Sequence, residues 1–269
     1  MSDRVNPRSE PKGLKDKPFG KDDALDAFFV PLEELAKGVI GIMAFRHVQF
    51  MFQACNVLLK QTGDERFELW AQMFAIQDEA SIHRNLRLMR AQNKFREERG
   101  LPQYDIPEAP ETPIEELRAK AEQLGVNISG YFDESYDPAN IKGMTLHEGL
   151  YNTFCLNALE KIGAASDLIP VFQDADGVYH LLVIARGNAP GIGELSLPGG
   201  FKEANETFKE ACSREGAEET NFFDLVSGYK VFQKMLPVFE SKTWDPRLRF
   251  AVHGMSNAGL LWFSSALAA

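Results

Sequence analysis

Only three cysteines occur in the 269 residues, Cys55, Cys155 and Cys212, and no two stand at a Cys-x-x-Cys or Cys/His ligand spacing. Neither a disulfide framework nor a structural zinc site is therefore expected. An excess of positive charge is also missing. The formal net charge is −10 and the pI near 5.1, which argues against a chain whose main task is to hold nucleic acid, because that needs a basic face. A small phosphate substrate neutralised by a metal ion stays open, since the ion brings its own positive charge. Long apolar runs are absent. The most apolar window, Val39 to Leu59, is broken by Arg46, His47 and Gln49, which makes it a poor membrane span. The opening MSDRVNPRSEPKGLKDKPFGK lacks the apolar stretch of a signal peptide. These absences lead to the expectation of a soluble, cytoplasmic protein with no membrane partner.

What is present divides the chain. Residues 1–21 are polar and rich in Lys, Arg, Pro and Gly, the composition of a disordered tail. From Asp22 to Gly100 the pattern reads as helical. Pro31 suits a first helical turn, Gly63 a helix end, and Asp64 the cap of a second helix running to Gly100. Phe67, Trp70, Met73, Phe74, Ile82 and Leu86 recur at mostly three- and four-residue steps. Residues 22–100 are thus expected to form a helical hairpin whose apolar face is buried against the other domain or against a second copy in a homodimer. Residues 101–113 hold Pro102, Pro107, Pro110 and Pro113 and read as a linker. Residues 114–165 form a helical connector, opened by a capping box at Thr112-Pro113-Ile114-Glu115, ending its first helix before Gly125 and carrying another over 145–162.

From residue 166 to 269 the period changes. Leu168–Phe172 and Val178–Ile184 predict strands around an Asp174-Ala175-Asp176-Gly177 turn. Pro170 predicts that the first is an edge strand or bulged. A short strand leads into Leu197-Pro198-Gly199-Gly200, then a helix follows, then strand-like runs around Tyr229–Phe239 and Arg249–His253. The fold class is α/β.

On that helix Glu215, Glu218 and Glu219 stand at i, i+3 and i+4 and project from one face. Carboxylates so placed repel by roughly 0.2–0.5 kcal/mol per pair, and nothing in folding alone asks for them. A hard divalent cation relieves the crowding, and Mg²⁺ commonly binds through a few carboxylates plus substrate phosphates. Arg214 stands about two turns beyond Glu206, within reach of it. Thr207-Phe208-Lys209-Glu210 offers a capping box, and the paired glycines let backbone approach the site closely.

Gly200, Glu206, Arg214, Glu215, Glu218 and Glu219, closed by Phe222 in an aliphatic position, match the spacing of the Nudix box. The chain resembles Nudix hydrolases from this stretch. The flanks, Arg186-Gly187-Asn188, Gly193 to Phe201, Val238-Phe239-Glu240 and Trp244-Asp245-Pro246-Arg247, are similar to those of members that act on ADP-ribose and related dinucleotides. Gly216 and Asn221 depart from the box at scaffold positions, where the family has an aliphatic residue and a glycine.

The resemblance implies an α/β/α sandwich with a mixed sheet. It implies Glu215, Glu218, Glu219 and the Gly199 carbonyl as ligands of Mg²⁺, or of Mn²⁺ in its place. Arg214 and Glu206 support these ligands, and Arg186, Phe201, Asp245 and Arg247 meet a nucleotide-type small-molecule substrate. The implied reaction is hydrolysis of a nucleoside diphosphate linked to another moiety, ADP-ribose or an NADH-like dinucleotide first. The general base stays open between a glutamate of the box and Glu240. After His253 the chain offers too little for both the further strand and the second packing helix usual in the family. Either the domain lacks its last helix or the N-terminal helices cover that face. The alternative is an inactive Nudix domain that senses nucleotides or scaffolds through its helical half.

Overall fold

The computed structural model describes residues 27–44, 47–98, 100, 103, 112–133, 164–186, 193–220, 236–241 and 256–263. In chain order these form β1 (Ala27–Pro31), α1 (Leu32–Ala36), α2 (His47–Thr62), α3 (Arg66–Glu98), α4 (Ile114–Leu124) and a 3-10 turn (Ser129–Phe132). There follow β2 (Ala165–Gln173), β3 (Tyr179–Ala185), β4 (Leu195–Ser196), β5 (Gly199–Phe201), α5 (Phe208–Glu219), β6 (Leu236–Ser241) and β7 (Ser256–Phe263). The tail at 1–21, the helix expected over 145–162, the run at 249–253 and nearly all of the proline-rich linker lie outside the described residues.

The strands make one mixed sheet in the order β1-β3-β2-β7-β6, with β4 on β3 and β5 on β2. All pairings are antiparallel except β2 with β7 and an isolated bridge between Met43 and Leu195, both parallel. Two expectations are corrected here, the helical start at Asp22 and the edge or bulge at Pro170. The helical reading from Asp22 fails at its start, because Ala-Phe-Phe-Val-Pro is an alternating aromatic and β-branched run that pairs with β3, Phe28 opposite Val183 and Val30 opposite Leu181. Pro31 ends this strand and opens α1.

The apolar stretch after His253 contains an eight-residue strand, β7, in parallel register with β2 from Ala165–Ser256 to Phe172–Phe263. Pro170 sits in an interior strand, not at an edge. On one side of β2, β5 pairs with residues 165–167 and β3 with 171–173. The Leu168 N–H points to that side, to Pro198 O at 2.8 Å. Pro170 shares its orientation by the two-residue period, so the missing N–H falls in the gap between the two partners.

The helical hairpin is present as read. Gly63 takes φ +70° and donates to Leu59 O at 2.9 Å, while Asp64 Oδ1 accepts from Arg66 N at 3.0 Å. Its apolar face is buried inside the chain. Val48, Phe50, Met51, Leu58, Phe67 and Phe74 join Ile169, Val171, Leu181 and Val183 in one core. The side chain of Ser166 faces α5 instead, bonding Phe208 O at 2.9 Å. The N-terminal helices therefore cover one face of the sheet and α5 the other.

Smaller features tie the layers. Arg66 pairs with Asp64, donates to Gly177 O at 3.0 Å, and lies over the rings of Trp70 and Tyr179. α4 begins with Pro113 in the capping position and no side-chain cap, so the Thr112 box is not made; His83 contacts the Thr112 carbonyl instead. α4 ends at Gly125, left-handed at φ +66°. No described helix is long and apolar enough to cross a membrane.

Gln77 on α3 is fully buried and ties three elements together. Its Nε2 donates to Leu35 O at 3.1 Å and Ala36 O at 2.6 Å, and Tyr131 donates to its Oε1 at 3.2 Å. Gln77→Leu strands those partners, each at about 1–3 kcal/mol. Urea unfolding is expected to show a loss of roughly 2–3 kcal/mol, against near-neutrality if water takes over the bonds.

Candidate functional site

The site forms where β5 runs beside β2 and α5 begins on the far side of a short loop. The α5 start is the capping box read from sequence: Thr207 Oγ1 accepts from Glu210 N at 3.2 Å, and Glu210 Oε2 accepts from Thr207 N at 2.7 Å. These bonds hold the Glu210 carboxyl below its usual range. Arg214 then reaches back as its spacing predicts. Nη2 and Nε meet Glu206 at 2.7 and 3.2 Å, Nη2 meets Phe201 O at 2.9 Å, and Nη1 meets Glu215 at 2.8 Å and Glu218 at 3.2 Å. Glu206 also accepts from Glu203 N at 2.7 Å, and with Arg214 beside it its carboxyl is held low. One guanidinium thus fastens β5, the loop and α5 together.

The glycines explain the rest. A Cβ on Gly200 would stand 2.5 Å from the Glu215 carboxyl, and one on Gly199 would stand 2.5 Å from Asp167 Oδ1 and 2.6 Å from Ser166 O. Successive strand residues face opposite ways, so Glu215 and Asp167 occupy the two faces of bare backbone. At its edge the Gly199 N–H donates to Glu219 Oε2 at 2.7 Å. Burial raises the Glu219 carboxyl to about 7, with the charges of Glu215 and Asp167 adding to the rise and Arg186 opposing it. Burial raises Glu215 as well.

Of the predicted ligands, Glu215, Glu219 and Gly199 come together, whereas the Glu218 side chain is 59% exposed and turned to Arg214. Among the described residues no three acidic, histidine or cysteine side chains converge as a finished metal cage. The donor chemistry nonetheless fits a hard cation: all-oxygen groups, with Glu215 and Glu219 both partly buried and raised chiefly by that burial. Phe201, 47% exposed, stands at the end of β5, and Arg186 directly follows β3. Asp245 and Arg247, like Asn221 and Phe222, lie outside the described residues. Of Glu240 the structure gives its place on β6, opposite Asn257. Gly216 is buried within α5, and its carbonyl accepts from Thr220 Oγ1 at 2.6 Å. Cys212 is a buried packing residue beside Ser166.

Two site residues escaped the sequence reading. Asp167 is a charge inside an otherwise apolar strand. His47, one of the polar residues interrupting the apolar window, enters from α2, with Nε2 3.5 Å from Asp167 Oδ1.

Glu219 has a stability consequence. Its native carboxyl, near 7, binds more protons than the unfolded one, near 4.5. The Glu219 contribution to metal-free stability therefore falls as pH rises from about 4.5 to about 7 and levels above. In a chelator, Glu219→Gln is expected to melt close to wild type at about pH 4.5 and above it at about pH 8; parallel curves count against the assignment. The glycines separate likewise. Gly199→Ala meets backbone and is expected to cost about 1–3 kcal/mol. Gly200→Ala meets only the movable end of Glu215, so thermal melts should show little loss while Mn²⁺ binding weakens.

Residues 163–258 match the NUDIX domain model. A 76-residue stretch is 42% identical to an ADP-ribose pyrophosphatase of Methanocaldococcus jannaschii, over 27% of this chain and 41% of that protein. The chain thus spans less than half the length of that curated relative. A MutT/nudix family protein from Enterococcus faecalis aligns at 19% identity over 48% of this chain and 46% of its own, with a TM-score of 0.30. A bifunctional NMN adenylyltransferase/ADP ribose pyrophosphatase from Francisella tularensis aligns at 16% over 64% and 53%, with a TM-score of 0.34.

Proposed function

Residues 163–258 of this chain are a NUDIX domain, and from that premise we propose that it hydrolyses the diphosphate bond of a nucleoside diphosphate linked to another moiety, with Mg²⁺ as cofactor. The observation that carries this reading is the placing of Glu215, Asp167 and Glu219 around the bare backbone of Gly199 and Gly200. Glu215, Glu219 and the Gly199 carbonyl would hold the cation, with Glu218 joining on release from Arg214. A bound divalent ion supplies charge neutralisation at the diphosphate and a more acidic water.

The protein's own groups do the remaining work. Arg214 and Glu206 keep the loop on the helix, so the carboxylates stay in register. Arg186 offers a positive charge to phosphate, and the exposed Phe201 ring a surface for a base or ribose; Asp245 and Arg247 complete the substrate contacts. Water adds to one phosphorus, the bridging P–O bond breaks, and the products are a nucleoside monophosphate and the phosphorylated second moiety. The proton lost by the water passes to a box glutamate or to Glu240. ADP-ribose is the favoured substrate and an NADH-like dinucleotide the next, a preference supported by the name of the archaeal relative.

A second reading, a domain that binds nucleotide without turnover, is favoured by one observation: Arg214 already neutralises Glu215 and Glu218. A panel of ADP-ribose, NADH and nucleoside triphosphates with Mg²⁺ separates the two. Turnover is expected on the diphosphate-linked substrates, falling about 100-fold or more in Glu219→Gln as charge stabilisation is lost. Nucleotide binding with no turnover in wild type would establish the second reading.

A further inference from the structure

The segment that delivers the glycine pair is gripped from the N-terminal helices, outside the residues that match the family. Ala44 N–H donates to Leu195 O at 2.7 Å and Leu195 N–H to Ile42 O at 3.1 Å. Arg84 of α3, its side chain 10% exposed, meets Glu194 at 2.5 Å. His47, 7% exposed, makes the grip nearest the acidic site. Its Nδ1 accepts from Leu197 N at 2.8 Å and lies 3.1 Å from Ser196 Oγ. An imidazole nitrogen that accepts a backbone N–H carries no proton, so the ring proton is on Nε2. That nitrogen faces Asp167 Oδ1 at 3.5 Å, and Asp167 occupies the space left by the missing Gly199 side chain. The sequence thus runs unbroken from a main-chain amide, through one ring of fixed tautomer, to a carboxylate against the glycine pair.

We propose that His47 is a positioning residue for the acidic site: the Leu197 amide fixes its tautomer, and its Nε2–H orients the Asp167 carboxylate beside Gly199, where the divalent cation is held. The inference rests on the metal-binding part of the reading above. It also gives the helical half a task beyond covering the sheet, because α2 supplies a working part that residues 163–258 do not contain. Groups that orient a metal site from behind its ligands typically change metal affinity 10–100-fold when removed.

Two substitutions separate the Nδ1 hydrogen bond from the Nε2 contact with Asp167. His47→Asn keeps an acceptor for the Leu197 amide but is too short for Asp167. His47→Gln brings an amide donor towards Asp167 and gives up the Leu197 bond. The full-length chain is titrated with Mn²⁺ alone, free Mn²⁺ being read by electron paramagnetic resonance, with circular dichroism and melting as checks of folding. His47→Asn and Asp167→Asn are each expected to weaken Mn²⁺ about tenfold, His47→Gln by less than about threefold, and the double variant His47→Asn/Asp167→Asn no more than either single one.

If His47→Asn does not fold, near-wild-type affinity in His47→Gln beside a tenfold loss in Asp167→Asn supports the proposal. Wild-type affinity in His47→Asn, a loss in His47→Gln as large as in His47→Asn, or a wild-type chain that binds no Mn²⁺ overturns it. The expected ranking in a chain that hydrolyses nothing on the substrate panel keeps this inference and removes the hydrolytic one.

Discussion

Where β5 lies against β2, Gly199 and Gly200 leave a stretch of backbone with no side chain on either face, and carboxylates take the space. Glu215 fills one side, Asp167 the other, and Glu219 bonds the exposed amide at the edge. Partial burial lifts Glu219 to about 7, and the neighbouring charges of Glu215 and Asp167 add to that rise. The arrangement persists because other parts of the fold hold it. Arg214 spreads a single positive charge over Glu206, Glu215 and Glu218, and the Thr207–Glu210 box fixes where α5 begins.

The second support comes from the opposite layer. The α2–α3 hairpin buries its apolar face on β2 and β3, β1 extends the same sheet beyond β3, and Ile42, Ala44, His47 and Arg84 clamp the segment before the glycines. A buried pair such as Arg84–Glu194 adds little net stability, yet removing one partner costs about 3–5 kcal/mol by leaving a buried charge alone. Such pairs favour one register over its neighbours. The helical half and the matched residues therefore share one core.

Legibility in the sequence followed the range of the interactions. The box helix was readable from fixed local spacing, and the reach of Arg214 back to Glu206 was foreseen for that reason, whereas its bonds to Glu215, Glu218 and the Phe201 carbonyl were not. The α2–α3 hairpin was readable from its period and from Gly63 and Asp64. β1 was lost because five alternating residues run straight into α1 with no turn between them. β7 was lost because Ser-Asn-Ala-Gly-Leu-Leu-Trp-Phe shows no alternation: it lies between two strands, and such strands read as plain runs. Pro170 misled because the gap it occupies is created by two other strands. His47 and Asp167 lie far apart in the chain, and no local pattern brings them together; the only trace was a polar residue in each of two apolar runs.

The helices and the glycine-centred site thus form one cooperative unit. Native-state hydrogen exchange with increasing urea tests it most directly. The slowest amides of α2, α3, β2 and β3 are expected to converge on one opening free energy and one denaturant dependence. Helical amides that exchange through a separate, lower-energy opening while β2 and β3 stay protected would contradict it.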